Sequence, residues 1–111
     1  MFYKTTKGTC PVEEFLDSLS AKPAKKVVWT LNLIEDLEIV PSLYLSKMRG
    51  TDDIWECRTK FGSNIYRIFA FFDRNKIILT RGIVKKTQKA PSEEIKRAES
   101  YKKDYFNRYR R

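Results

Sequence analysis

The sequence predicts an α+β fold, an antiparallel sheet packed by an N-terminal helical hairpin and a C-terminal helix. Three observations carry this. Residues 54–84 hold three apolar-rich runs separated by short polar turns, the pattern of a three-strand meander. On either side of them, apolar residues recur every three or four positions, the period of helices with one buried face. The chain has 111 residues, about the size of one domain, and no linker or repeat divides it. Residues 1–111 are therefore expected to form a single domain.

Taken in order, Phe2-Tyr3-Lys4 is expected to add a short N-terminal strand. Thr9-Cys10-Pro11 opens the first helix, with Pro11 in its first turn and Glu13 and Glu14 set against the helix dipole. Val12, Phe15, Leu16 and Leu19 give it one apolar face. Ser20-Ala21-Lys22-Pro23 reads as the break before a second helix, whose apolar positions are Val27, Val28, Leu31, Leu33, Ile34 and Leu37. Lys25 and Lys26 at its start and Glu35, Asp36 and Glu38 at its end oppose the dipole, so packing must hold this helix. Val40-Pro41-Ser42 ends it.

In the first meander strand Ile54, Glu56, Arg58 and Lys60 alternate with Trp55, Cys57, Thr59 and Phe61. Gly62-Ser63-Asn64 is turn chemistry. The run 65–72 is apolar on both faces, as a central strand requires, with helices expected on one side. Asp73-Arg74-Asn75-Lys76 turns the chain into a third strand, Ile77 to Val84. Pro91-Ser92-Glu93-Glu94 starts the last helix, with Ser92 as its cap, and Ile95, Ala98, Tyr101, Tyr105 and Tyr109 form a packing stripe.

Composition excludes several classes of function. There are two cysteines and no histidine, too few ligands for structural zinc and no imidazole for a Ser-His or Cys-His nucleophile. No run approaches the roughly 20 apolar residues that span a bilayer. The N-terminus lacks the pattern of a secretory leader, so a cytoplasmic location is expected. The net charge is +9, and residues 81–111 hold 11 basic against 4 acidic side chains. A field of that sign attracts a phosphate backbone, an acidic membrane or an acidic protein partner, and basic residues on more than one kind of element favour a polyanion.

Two clusters can carry chemistry. Arg58 and Lys60 share a strand face, and Arg67 interrupts the apolar run of the neighbouring strand. A charge there either serves a site or is held by an ion pair, to Glu56 or Glu35, and both readings stand. The second cluster is Lys85-Lys86-Thr87-Gln88-Lys89, a basic loop at the end of the third strand. Arginines and lysines without histidine stabilise a pentavalent phosphate electrostatically more readily than they abstract a proton. Asp52-Asp53 reads as a turn, Cys57 as a small core residue, and Phe69, Phe71 and Phe72 as core rather than base-stacking aromatics.

Gly8, followed by Pro11-Val12-Glu13-Glu14-Phe15-Leu16-Asp17-Ser18-Leu19, resembles the opening of phage-derived HigB-like toxins of the RelE/ParE superfamily. Lys47-Met48-Arg49-Gly50-Thr51-Asp52, Ile54-Trp55-Glu56-Cys57-Arg58, Asn64-Ile65-Tyr66-Arg67-Ile68-Phe69 and Val84-Lys85-Lys86-Thr87-Gln88-Lys89-Ala90-Pro91 continue the likeness in order. The resemblance implies a RelE-like fold and the toxin of a type II toxin–antitoxin system, a metal-independent endoribonuclease that cleaves mRNA on the ribosome without a cofactor. Arg58, Arg67, Lys85 and Lys86 would be catalytic, and Lys60, Thr87 and Lys89 would bind RNA. The partners implied are the ribosome, mRNA and a small helix-turn-helix antitoxin. ParE-like members of the same superfamily instead inhibit DNA gyrase, and a plain basic nucleic-acid-binding module is a third possibility. The chain departs from the pattern at Arg81-Gly82-Ile83, where the family often has His-Gly-Phe.

Overall fold

The computed structural model describes residues 1–36, 41–85 and 92–109. The chain runs α1 (Pro11–Asp17), α2 (Ala21–Asp36), β1 (Leu45–Lys47), β2 (Trp55–Phe61), β3 (Asn64–Asp73), β4 (Lys76–Lys85) and α3 (Ser92–Tyr109). The four strands form one antiparallel sheet in the order β1-β2-β3-β4. The α+β class and the meander are as the sequence predicts.

β3 dictates the layering. Every residue from 66 to 71 is buried, so the sheet needs cover on both faces. Tyr66, Ile68 and Ala70 pack with Cys57, Ile77 and Leu79 against Val12 of α1 and Val27, Leu31 and Ile34 of α2. Phe69 and Phe71 pack with Ile54 and Ile78 against Ala98 and Tyr105 of α3. Helices thus cover both sides, not one, because a strand that is apolar in both directions leaves neither face for water.

The fourth strand is not the N-terminal segment. It is Leu45–Lys47, only three residues long, pairing with 55–57 of β2. Phe2 makes a single parallel bridge to Leu79, with the Tyr3 N–H donating to the Leu79 carbonyl at 2.8 Å. This lays the first residues along the outer edge of β4. Pro23 does not break the chain either. It lies buried in the first turn of α2, where a missing N–H costs nothing, and the helix begins at Ala21 with the Ala24 N–H donating to the Ser20 carbonyl. Val28 and Trp29 of α2 are exposed. Ser92 is already helical. Leu37, Glu38, Val40 and Pro91 lie outside the described residues.

An irregularity in β4 positions the site. Phe69 pairs with Arg81 and Ala70 with Leu79, so Thr80 is an extra residue, a β-bulge. Its hydroxyl donates to the Phe69 carbonyl at 2.7 Å. The bulge changes the phase of the strand. Ile78 and Ile83 both pack on the α3 side although five positions separate them. Gly82 faces α1 instead, where a Cβ would lie 2.3 Å from the Phe15 ring. Among the described residues no helix is long and apolar enough to cross a membrane.

Candidate functional site

The re-phased β4 brings basic residues from three strands onto the α3 side of the sheet. The register sets three cross-strand rows: Glu56, Phe69 and Arg81; Arg58, Arg67 and Ile83; Lys60, Ile65 and Lys85. Period-2 alternation alone assigns Arg81 to the opposite face, so the sequence gives no sign that it belongs here.

Glu56 is the centre of the cluster. It is 4% exposed, and one carboxylate oxygen accepts from Arg67 Nη1 at 2.6 Å. The other lies 3.4 Å from Arg58 Nε. Arg67 is itself only 1% exposed, so of the two acidic partners the sequence offers, Glu56 is the one it meets. A buried carboxylate shared by two guanidiniums offsets one of the two positive charges and orients both cations. Arg58 is held from a second direction as well, its Nη2 donating to the Ser42 carbonyl at 2.9 Å. It remains partly open to solvent, and Lys60 beside it is exposed. Arg81 Nε pairs with Glu94 in the first turn of α3 at 2.8 Å, which ties that helix to the sheet.

Arg58, Arg67 and Lys60 are thus brought together, with Arg67 underneath and the other two at the surface. Lys85 closes β4 opposite Ile65. Lys86, Thr87 and Lys89 lie outside the described residues. Among the described side chains of this cluster the four cations Arg58, Lys60, Arg67 and Arg81 outnumber the two carboxylates Glu56 and Glu94 by two.

The other candidates have structural duties. Burial, reinforced by the adjacent Glu56 charge, pushes the Cys57 thiol up to about 12, so it holds its proton near neutrality and behaves as core. Lys102 contacts both the carbonyl and the carboxylate of Asp52, and Lys47 lies 2.7 Å from Asp53. Among the described residues no three acidic, cysteine or histidine side chains gather as metal ligands would. Phe69 and Phe71 are buried, while Phe72 is partly exposed and meets Trp55 edge-on at 5.3 Å.

A chemistry of oriented positive charge suits binding and stabilising a phosphate. Comparison with known proteins places the chain in a family without adding a relative of known activity. No curated protein matches it. The family model for the phage-derived protein Gp49-like (DUF891) matches residues 14–103, a span that includes α2, the whole sheet and most of α3. The chain belongs to that Gp49-like, phage-derived family, which is associated with toxin–antitoxin systems.

Proposed function

We propose that the protein is a HigB-like toxin that cleaves mRNA on the ribosome, with Arg58 as the residue that contacts the scissile phosphate. The observation that carries this is the hold on Arg58. A buried glutamate on one side and the Ser42 carbonyl on the other fix a partly exposed guanidinium beside the exposed Lys60. A preorganised cation of this kind stabilises charge as it develops, without reorganising during the reaction.

The 2′-hydroxyl of the mRNA attacks the adjacent phosphorus and the bond to the 5′ oxygen breaks, leaving a 2′,3′-cyclic phosphate and a 5′-hydroxyl end. Water or an acceptor on the ribosome takes the 2′ proton. Lys85 or Lys86 gives a proton to the leaving oxygen or acts as positive charge beside it. Lys60, Thr87 and Lys89 hold the RNA backbone. Arg67, buried under Arg58, is a positioning residue, because its guanidinium reaches Glu56 rather than solvent. Neither a metal nor a cofactor is needed for these steps. A small helix-turn-helix antitoxin with an acidic segment would neutralise the basic face.

The test is induced expression with mapping of mRNA 5′ ends. Cuts in translated transcripts are expected, and Arg58→Ala should lower the cleavage rate about a hundredfold, about 3 kcal/mol, with thermal melting unchanged. Intact transcripts together with arrested replication would replace this reading with inhibition of a protein target such as gyrase. A folded Arg58→Ala chain that remains fully toxic would remove Arg58 from the site.

A further inference from the structure

A cleft of about 410 Å³ opens at the edge of the sheet, between α2, the segment preceding β1 and the end of β2. Lys26 lines it from α2, Leu43 and Tyr44 from the segment before β1, and Arg58 and Lys60 from β2. Among the described residues no carboxylate lines it. Two larger clefts among the described residues are different, one carrying Asp52, Asp53 and Glu99 and the other Glu35 and Asp36. Aromatic surface stands at the rim of the cationic cleft. Trp29 is 46% exposed, Tyr44 meets its ring edge-on at 6.0 Å, and the Lys26 ammonium lies 4.0 Å from the ring centre. Leu43 is more exposed still.

Trp29 is not a single scattered apolar residue but part of a partly exposed patch with Tyr44 and Leu43, the kind of surface that marks a binding site. The chemistry around it selects the occupant. Cations combined with aromatic faces, with no carboxylate among the described lining residues, make the pattern that holds single-stranded nucleic acid, in which bases stack while lysines track the phosphates. The volume falls within the range of small-ligand pockets, about 300–1,000 Å³. Arg58 belongs both to this cleft and to the candidate reaction face, so the two are continuous.

We propose that the cleft is a nucleotide-binding subsite for single-stranded RNA, taking one nucleotide next to the phosphate at Arg58. The base lies against Tyr44 and Trp29, and the flanking phosphates run between Lys26 and Lys60. This rests on the ribonuclease reading for its role in the reaction, though not for binding itself.

The experiment uses the full chain with Trp55→Phe, so that Trp29 is the only tryptophan left of two, and a short fluorescein-labelled single-stranded RNA as the probe. Trp29 emission should change on titration. Trp29→Ala, followed by anisotropy of the label, should weaken binding about tenfold. Lys26→Ala should reduce the salt dependence by about one phosphate contact. Both variants should melt like the parent and should lower cleavage of ribosome-bound mRNA. Three outcomes overturn the subsite: RNA leaves Trp29 emission unchanged, a blunt RNA duplex or a polyglutamate peptide competes as well as the single strand, or the folded variants bind like the parent. A chain that binds RNA through Trp29 yet cuts no transcript would sink the ribonuclease reading and leave the subsite standing. Unimpaired cutting and binding by both variants would do the reverse.

Discussion

Arg67 shows how far a single residue can be read. Its place in an apolar run marks it as anomalous from sequence alone, but the partner is set by cross-strand geometry. Glu56 lies diagonally across from it on the same face, and the two meet at 2.6 Å with neither exposed. Removing Arg67 takes from the buried Glu56 its hydrogen-bonded partner and leaves it the longer Arg58 contact at 3.4 Å. Arg67→Ala is therefore expected to cost about 3–5 kcal/mol, a fall in Tm of roughly 15 °C or more for a domain of this size. Replacing the pair together, Glu56→Leu with Arg67→Met, should recover most of that stability, because neither fully buried charge remains and Arg58 is partly open to solvent. The double variant should still lose toxicity, since Arg58 then has only the Ser42 carbonyl to hold it. Melting curves and growth arrest measured on the same chains check both halves. A double variant as unstable as Arg67→Ala would contradict the account.

The long elements were legible because their periods are strong, and three further features were hidden for identifiable reasons. β1 is three residues long, too short to show alternation. The bulge at Thr80 has no composition of its own, and it moves Arg81 and Ile83 to the face that strict alternation denies them. Helices on both sides of the sheet follow from the doubly apolar β3, a consequence the sequence carries but that a one-sided expectation passed over. Gly82 of β4 lies directly against the Phe15 ring of α1, and Gly82→Ala should destabilise by about 1–3 kcal/mol through overpacking against Phe15. Phe15→Leu in the same chain should return part of the loss, which paired denaturant titrations would read.

α3 makes a second prediction at this level. Burial, together with the Asp104 carboxylate it donates to, raises the Tyr3 hydroxyl to about 12, and burial with Asp73 does the same for Tyr105. The folded state favours the neutral phenols, so their contribution is fully present below the ordinary tyrosine value of 10.0 and fades as pH rises through about 12. A chain carrying Tyr3→Phe and Tyr105→Phe should lose less stability between pH 10 and 12 than the parent. Circular dichroism across that window decides it, and equal losses would refute the assignment.

For the whole molecule, charge is what the sequence conveys most directly, as an excess concentrated in its last third. It does not convey that Lys26, from the first third, joins Arg58 and Lys60 at one cleft. If RNA engages those three cations, log affinity should fall against log salt with a slope of about −2. A slope near zero would exclude backbone contacts. Tyr3 stacks on Tyr101 with ring centres 4.7 Å apart, and its hydroxyl donates to Asp104, so the start of the chain closes against a helix that follows the sheet. That arrangement has a consequence for timing. During synthesis α1, α2 and the strands leave the ribosome first, while Phe69, Phe71 and Ile78 still await α3 and Arg81 still awaits Glu94. The basic face is therefore complete only after α3 has emerged, later than every strand that carries its arginines.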